Sequence, residues 1–191
     1  VGQTYTHRSL PLSAQVTMNL YPEAEITGRS EAALNSWPGS IPFATILGDD
    51  RGMTRFQDEV FKVAGTTLYK VDLVGAVTTI GTIAGSNRCI FANDGTNLII
   101  TTGGPGYQYN GTVLTEITDP EFENGNSCAF LNNKMFFDGN GGRFQVADVG
   151  DPDSIEPENF ATAESAPDDT IRVFAFNERV FMFGERTIEP W

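Results

Sequence analysis

The residues of this chain that could carry metal chemistry are concentrated in one short segment, Asp138-Gly139-Asn140-Gly141-Gly142. Its start resembles a calcium-binding loop, in which carboxylate and amide oxygens alternate with glycine. A loop of the EF-hand type requires glycine at its sixth position and glutamate at its twelfth, whereas this chain has Arg143 and Val149 there. The pattern therefore favours a glycine-rich hairpin turn, and no metal site is predicted.

Catalytic chemistry is limited by the residue types present. His7 is the chain's single histidine, so neither a histidine-based triad nor a histidine-rich metal site can be built. Adjacent acidic pairs occur at Asp49-Asp50 and Asp168-Asp169, but glycoside hydrolysis requires two carboxylates that converge on one bond. No phosphate-binding loop is present. The sequence predicts no catalytic residue and no cofactor.

The chain contains a repeated pattern of short strands and turns, and this pattern positions the polar residues considered above. One turn recurs near residues 58, 94, 133 and 178, a second near 65, 104, 141 and 184, and a third near 75, 111 and 150. Apolar runs separate the turns. Three turns join four strands, and a four-stranded unit that recurs at about 40–45 residues is typical of β-propeller blades.

The repeat divides the chain into an extended N-terminal arm and a series of blades. The arm is predicted to cover residues 1–46, and the blades residues 47–85, 86–125, 126–170 and, with roughly two strands, 171–191. The fold class is therefore all-β, a propeller of antiparallel blades whose ring is incomplete at about three and a half blades. Because rings contain about four to eight blades, we expect these residues to be the front of a longer polypeptide or to be covered by other chains.

Local patterns add four expectations. In the arm, residues 29–35 have a composition compatible with a short helix, and residues 15–20 are compatible with a strand. The sequence Tyr109-Asn110-Gly111-Thr112 predicts a type I′ hairpin with positive φ at both central residues. Residues 148–169 are expected to form a long acidic loop where the fourth strand of the third blade would lie.

Two cysteines, Cys89 and Cys128, occupy the same place in successive units, 39 residues apart. We expect both to be reduced thiols packed in the core, with a disulfide as the minor alternative, because neighbouring blades seldom bring such positions within bonding range. This usage fits folding in a reducing cytosol. No apolar run approaches the ~20 residues of a membrane span, and no signal-peptide pattern is present.

Acidic residues dominate the charge. The net charge is −13, and residues 116–169 hold thirteen acidic residues against two basic ones, Lys134 and Arg143, a local balance of −11. An acidic surface disfavours tight binding to nucleic-acid phosphates. The acidity is either a solvated loop face or the lining of a path that must not hold a polyanion. The candidate interface residues are two aromatic residues of the arm and four acids of the loop: Tyr21, Trp37, Asp151, Asp153, Glu156 and Glu158.

Several segments together resemble the packaged-DNA stabilisation proteins of short-tailed bacteriophages, also called tail accessory factors or tail hub or nozzle proteins. The resemblance spans nearly the whole chain, although each motif is short. Its most specific part is the closing run, in which a blade ends in glycine, Thr-Ile-Glu and an aromatic residue. The matching segments are residues 18–23 (MNLYPE), 34–39 (LNSWPG), 61–70 (FKVAGTTLYK), 144–148 (FQVAD), 163–169 (AESAPDD), 181–184 (FMFG) and 187–191 (TIEPW).

The resemblance implies a structural virion protein of the phage tail, assembled in the host bacterial cytoplasm. Six copies would form a ring below the portal and its adaptor, contact the tail needle and the tailspikes or fibres, and close the DNA channel after packaging. DNA would pass through without tight binding, and no membrane insertion is implied. The family is not enzymatic, and its members are longer, so this chain corresponds to roughly their first half.

Two other classes of function remain open from the residues alone. A carbohydrate-binding or glycan-processing propeller would require convergent carboxylates and an aromatic platform at one mouth of the ring. A Kelch-like interaction module gains some support from the doubled glycines Gly103-Gly104 and Gly141-Gly142, each followed by an aromatic residue. The first unit lacks that doublet.

Overall fold

The structure, a computed structural model, describes residues 20–24, 32–36, 39–123, 125–163 and 169–191. The chain divides into two compact units, Val1–Pro42 and Phe43–Trp191. The first unit contains the strands β1 (Leu20–Ala24) and β2 (Ala32–Ser36), which pair antiparallel with Leu20 opposite Ser36.

The helix expected over residues 29–35 is wrong, because Ala32–Ser36 is a strand. A helix of two turns is marginal in water, whereas pairing with β1 gives the backbone groups of all five residues a partner strand. The strand expected over residues 15–20 meets the described residues only at Leu20, where β1 begins.

Four antiparallel sheets make up the second unit, and strands that neighbour each other in a sheet follow each other in the chain. The first sheet contains β3 (Asp50–Phe56), β4 (Glu59–Ala64), β5 (Thr67–Val71) and β6 (Val77–Thr82). The second contains β7 (Ile90–Asn93), β8 (Leu98–Thr101), β9 (Tyr107–Tyr109) and β10 (Leu114–Glu116). The third contains β11 (Cys128–Leu131), β12 (Lys134–Asp138), β13 (Arg143–Val146) and β14 (Phe160–Thr162). The fourth contains β15 (Thr170–Phe176), β16 (Arg179–Gly184) and β17 (Ile188–Pro190).

The predicted all-β class with four-stranded antiparallel units is confirmed, and the described residues contain no helix. Two details differ from the expectation. Residues 148–169 are not loop throughout, since Phe160–Thr162 pairs with β13 as the fourth strand of the third sheet. The last unit has three strands rather than roughly two, because Ile188–Pro190 pairs with β16. A proline is tolerated there because an edge strand leaves one row of amides unpaired.

Two-residue turns join the first and second strands of three sheets. Both turn residues have positive φ, the type I′ geometry that matches the twist of paired strands, at Gln57-Asp58, Asn132-Asn133 and Asn177-Glu178. The second sheet has a longer turn at this place. There, Asp94 Oδ1 accepts the backbone N–H groups of Thr96 and Asn97.

The type I′ turn expected at Asn110-Gly111 is wrong. Gly111 has φ +89°, but Asn110 is not among the residues with positive φ. The loop has four residues, and Asn110 Oδ1 accepts the N–H groups of Thr112 at 3.0 Å and Val113 at 2.8 Å. Hydrogen bonds to the Asn110 side chain thus stabilise this turn, which has positive φ at Gly111 but not at Asn110. Asparagine commonly stabilises turns in this way.

Replacing Gly111 with valine should lower the free energy of unfolding by about 1–3 kcal/mol, because a β-branched residue resists positive φ. The added Cβ would meet nothing closer than Gln57 Oε1 at 3.5 Å, so backbone strain is the cause. Urea unfolding followed by fluorescence measures the loss. Thr112→Val is the matched control and should unfold like the wild type, since only the backbone of Thr112 bonds to Asn110. Equal stability of Gly111→Val and the control would contradict the turn geometry.

Each hydrophobic core lies between two consecutive sheets. In β8, Leu98 and Ile100 belong to the core shared with the first sheet, whereas Ile99 belongs to the core shared with the third. A third core, built around Phe144, Val173 and Met182, joins the third sheet to the fourth. The first strands β3, β7, β11 and β15, here called the inner strands, contact one another in sequence. The sheets therefore stack face to face around their inner strands.

Both cysteines are free and buried, as expected of core thiols. Cys89 belongs to the core between the first and second sheets, and Cys128 to the core between the second and third. Burial raises the pKa of the Cys89 thiol, and it raises the pKa of Cys128 to about 12. Neither thiol is activated as a nucleophile. Within the described part of the chain, no helix is long and apolar enough to cross a membrane.

Candidate functional site

The acidic segment after β13 is a folded loop, not a free one. Asp153 Oδ1 accepts the N–H of Thr118 at 2.9 Å, and Asp119 Oδ2 accepts the N–H of Ile155 at 3.1 Å. The Ile155 side chain is buried in the core between the second and third sheets. The loop is therefore anchored to the second sheet's final segment and presents a fixed surface.

Asp148 organises the interior of this loop. Its carboxylate accepts hydrogen bonds from Ser154 Oγ at 2.9 Å and from Asn159 Nδ2 at 3.2 Å. Asp148 also forms an isolated β-bridge with Asp151. The local sequence does not distinguish Asp148 from a solvated acid, because a carboxylate that shapes a loop has the same local pattern as a solvated one.

The predicted interface residues are distributed as follows. Asp151, Glu156 and Glu158 are exposed on the acidic loop, and Asp153 is half-buried because it holds the N–H of Thr118. Tyr21 is a residue of β1 opposite Asn35. Trp37 lies outside the described residues. The structure thus brings the four acids together in one loop, and an interface role of all six residues stays a prediction.

Asp138 is buried at the end of β12, with 1% of its surface exposed. Its Oδ1 accepts the N–H of Ser127 at 2.6 Å, and its Oδ2 has no hydrogen-bond partner among the described residues. Ser127 Oγ in turn accepts the N–H of Val173 at 2.7 Å, which links the third sheet to the fourth. Burial raises the pKa of Asp138 to about 6, against the opposing effect of the Ser127 hydrogen bond.

The segment that begins with Asp138 is the hairpin turn between β12 and β13. Gly139 N–H donates to the carbonyl of Arg143 at 2.8 Å, and Gly141 and Gly142 have positive φ. Among the described residues, no group of three or more potential ligands could hold a metal ion. The contact shown by Asp138 is the hydrogen bond that it accepts from the N–H of Ser127, which positions that serine.

The buried Asp138 carboxyl should make stability depend on pH. Its pKa is about 6 in the folded chain against a reference value of 3.8, so the folded state binds more protons between these values. Stability is then greatest below about pH 4 and is lost as the pH rises through 6. Relative to Asp138→Asn, the wild type should lose about 2–3 kcal/mol between pH 4 and pH 7. Urea unfolding of both proteins across this range measures the difference, and a constant difference would contradict the buried, ionising carboxyl.

Arg51 is the second buried ionic residue at a junction between sheets. It lies in β3 with 3% of its surface exposed. Its guanidinium donates to four backbone carbonyls at 2.7–3.0 Å, those of Gly65, Ile83, Ala84 and Asn87. These carbonyls belong to the first sheet and to the segment that leads into the second, so Arg51 fixes the connection between the two sheets.

Two cavities open beside the inner strands. The larger has a volume of about 280 Å³ and is lined by residues that include Arg88, Asn126 and Arg172. The smaller has a volume of about 190 Å³, and its lining includes Arg88 and Arg172 again, together with Met53. Neither cavity is lined by a carboxylate of the described residues. The convergent acid pair that a glycan-processing propeller requires is thus not found at these cavities.

The outward face of the fourth sheet is apolar. Phe174 and Phe176 of β15 are exposed, and Phe174 lies opposite the half-buried Phe181. Ile188 of β17 is also exposed and lies opposite Phe183. The other face of this sheet packs on the third sheet. Within the described residues, the fourth sheet therefore has a face with the composition of a core and no sheet against it.

The first sheet is also open on one face. Met53 is exposed and Val60 is partly exposed, and both line a cavity of about 390 Å³ with Lys62, Val71 and the segment 43–46. The opposite face of this sheet, with Phe61 and Leu68, packs on the second sheet. The two end sheets thus differ from the two middle sheets, each of which packs on both sides.

Comparisons with known proteins agree with this architecture. A family model described as "Bacteriophage P22 Gp10, beta-propeller" matches residues 1–191, which confirms the predicted propeller. The computationally designed Ika4 protein is similar, with 12% identity, a TM-score of 0.59 and coverage of 80% of this chain and 98% of Ika4. The designed Ika8 protein has 13% identity and a TM-score of 0.58, with coverage of 93% and 56%.

A catalytically inactive virginiamycin B lyase from Staphylococcus aureus, solved with quinupristin, has 10% identity and a TM-score of 0.55. The similarity covers 91% of this chain and 62% of the lyase. These identities show a shared fold alone. The chain spans less than two thirds of Ika8 and of the lyase. No curated protein matches the chain.

Proposed function

The chain belongs to the bacteriophage P22 Gp10 β-propeller family, and from this membership we propose that it is a structural protein of a short phage tail. In this proposal it forms a hub or nozzle ring below the portal and its adaptor, and the ring closes the DNA channel after packaging. The observation that carries the proposal is the family match over all 191 residues.

The two uncovered sheet faces support an assembled state. An apolar sheet face in water is normally covered by another layer, and exposed Phe174, Phe176 and Met53 lie at the two ends of the sheet array. Further sheets of the same polypeptide or neighbouring copies would cover these faces. We propose a ring of six copies, in line with the expectation from the resemblance.

The charge distribution supports a channel that DNA passes without binding tightly. The chain carries a net charge of −13, and Asp151, Glu156 and Glu158 are exposed on the acidic loop. Like charges repel the phosphate backbone, so a wall of this kind does not retain DNA during ejection. The acidic loop, with Asp153 fixing its position, is proposed to face the channel or a neighbouring protein.

The tail needle and the tailspikes or fibres are the other proposed partners, with Tyr21 and Trp37 as contacts from the N-terminal arm. The protein would reside in the virion tail after assembly in the host cytoplasm. We propose no catalytic role. Both thiols have raised pKa values, and carboxylates of the described residues do not converge at the inner cavities.

DNA retention tests the proposed function. Phage particles that are packaged without the protein containing this chain should release their DNA to added nuclease, and adding the purified protein before nuclease should restore protection. Particles that have packaged no DNA serve as the empty control. Equal protection of DNA with and without the protein would overturn the stabilising role.

A further inference from the structure

The fold brings together two arginines that are far apart in the sequence. Arg88 immediately precedes the buried Cys89 at the start of the second sheet, and Arg172 lies in β15 of the fourth. Both line the larger cavity beside the inner strands, and both line the smaller one. The two arginines therefore line the same two cavities.

Most other cationic side chains of the described residues form an ion pair or a hydrogen bond with another described residue. The side chains of these two arginines do not. Arg55, Lys62, Lys70 and Arg143 form ion pairs with carboxylates, and Arg51 donates to four carbonyls. The side chains of Arg88 and Arg172 form no ion pair or hydrogen bond with any described residue. In a chain of net charge −13, two exposed arginines that line the same cavities form a local positive site.

Side-chain amides complete the wall of the larger cavity. Gly103 has φ +73°, and a Cβ there would lie 2.5 Å from Asn126 Oδ1 and 3.4 Å from Asn87 Nδ2. The side-chain amides of Asn87 and Asn126 thus both lie close to Gly103, and a larger residue at this position would displace them. The amide of Asn87 adds a hydrogen-bond donor to the two guanidinium groups.

We propose that these two cavities, here called the arginine site, bind an acidic side chain of a partner protein segment. A carboxylate can accept two parallel hydrogen bonds from one guanidinium group. The volumes of about 280 and 190 Å³ suit side chains rather than a folded element. Ile90, Ile171 and Phe91 line the same space, so apolar residues of the segment would pack beside the carboxylate.

The charge of the chain favours an isolated carboxylate over a nucleic-acid strand. A strand brings many phosphates, and residues 116–169 hold a local charge of −11 that would repel them. One carboxylate with apolar neighbours satisfies both arginines without placing further negative charge near the acidic loop. The inference is independent of the ring proposed above, because it rests on the geometry of the single chain.

Fluorescence anisotropy with a labelled peptide tests the arginine site. The probe is a short peptide in which one glutamate is flanked by leucines, and the matched probe carries glutamine in place of that glutamate. The purified chain should bind the glutamate peptide at least about tenfold more tightly than the glutamine peptide. Arg88→Gln and Arg172→Gln should each weaken this binding about tenfold, whereas Arg179→Gln, an exposed arginine outside both cavities, should leave it unchanged.

Three outcomes would overturn the proposal. The first is equal affinity for the two peptides, and the second is unchanged binding in the Arg88→Gln and Arg172→Gln double variant. The third concerns competition for the labelled glutamate peptide. If a short oligothymidine displaced it at a lower concentration than the unlabelled peptide does, the site would be assigned to nucleic acid. Both arginines are exposed, so urea unfolding should show wild-type stability for each variant, and loss of binding then reports on the site.

Discussion

Replacing Arg51 with methionine is expected to lower the free energy of unfolding by about 3–5 kcal/mol. Methionine fills a similar volume but donates no hydrogen bond, so the carbonyls of Gly65, Ile83, Ala84 and Asn87 lose a buried donor. A buried carbonyl without a partner keeps the full cost of its lost hydration. The loss is large because one side chain serves four acceptors at the junction of two sheets.

Urea unfolding at neutral pH, followed by fluorescence, measures this loss. Arg55→Met is the matched control, because Arg55 lies in the same strand but its side chain is 75% exposed and pairs with the exposed Asp58. An exposed ion pair contributes about 0–1 kcal/mol, so the control should unfold near the wild type. If Arg51→Met and Arg55→Met were equally stable, the buried guanidinium would not hold the first two sheets together.

The second large effect concerns the core between the second and third sheets. Phe137 is 0% exposed, and its ring centroid lies 5.1 Å from that of Phe122 in an edge-to-face arrangement. Phe137→Ala removes this contact and leaves a cavity, which costs about 3–5 kcal/mol in a rigid core. Chemical unfolding monitored by far-ultraviolet circular dichroism checks the value.

Phe176→Ala provides the comparison for Phe137. Phe176 is 65% exposed on the outward face of the fourth sheet, so its removal should change the stability of the isolated chain by less than about 0.5 kcal/mol. A loss at Phe176 as large as that at Phe137 would show that the fourth sheet is covered in solution. That outcome would contradict the uncovered outward face of the fourth sheet in the isolated chain.

The sequence specified the repeating architecture because turns are encoded locally. Asn132-Asn133 and the equivalent pairs occupy positive φ, which few residue types tolerate, so their spacing shows up in the sequence. The strand Phe160–Thr162 was missed because three residues carry too little periodicity to be distinguished from a loop. The strand Ala32–Ser36 was misassigned for a related reason, since its conformation depends on pairing with β1 rather than on its own composition.

The buried polar residues could not be predicted from the sequence. Arg51 and Asp138 each follow or precede ordinary turn residues, and nothing local distinguishes them from solvated charges. Their partners are distant in the sequence: Arg51 donates to carbonyls 14 to 36 residues further along the chain, and Asp138 accepts from Ser127, 11 residues before it. Likewise, the convergence of Arg88 and Arg172 depends on how four inner strands meet. The exposed acids Asp151, Glu156 and Glu158 were more accessible to prediction, because a proline-bearing acidic segment is rarely buried.

The proposed role of this chain is to form part of a ring in a phage tail. The most direct measurement is cryo-electron microscopy of the portal–adaptor complex of the same phage after addition of the protein that contains this chain. We predict six copies arranged as a ring below the adaptor, with the stacked four-stranded sheets visible in each copy. A protein that stays monomeric and leaves the portal–adaptor complex bare would contradict the claim.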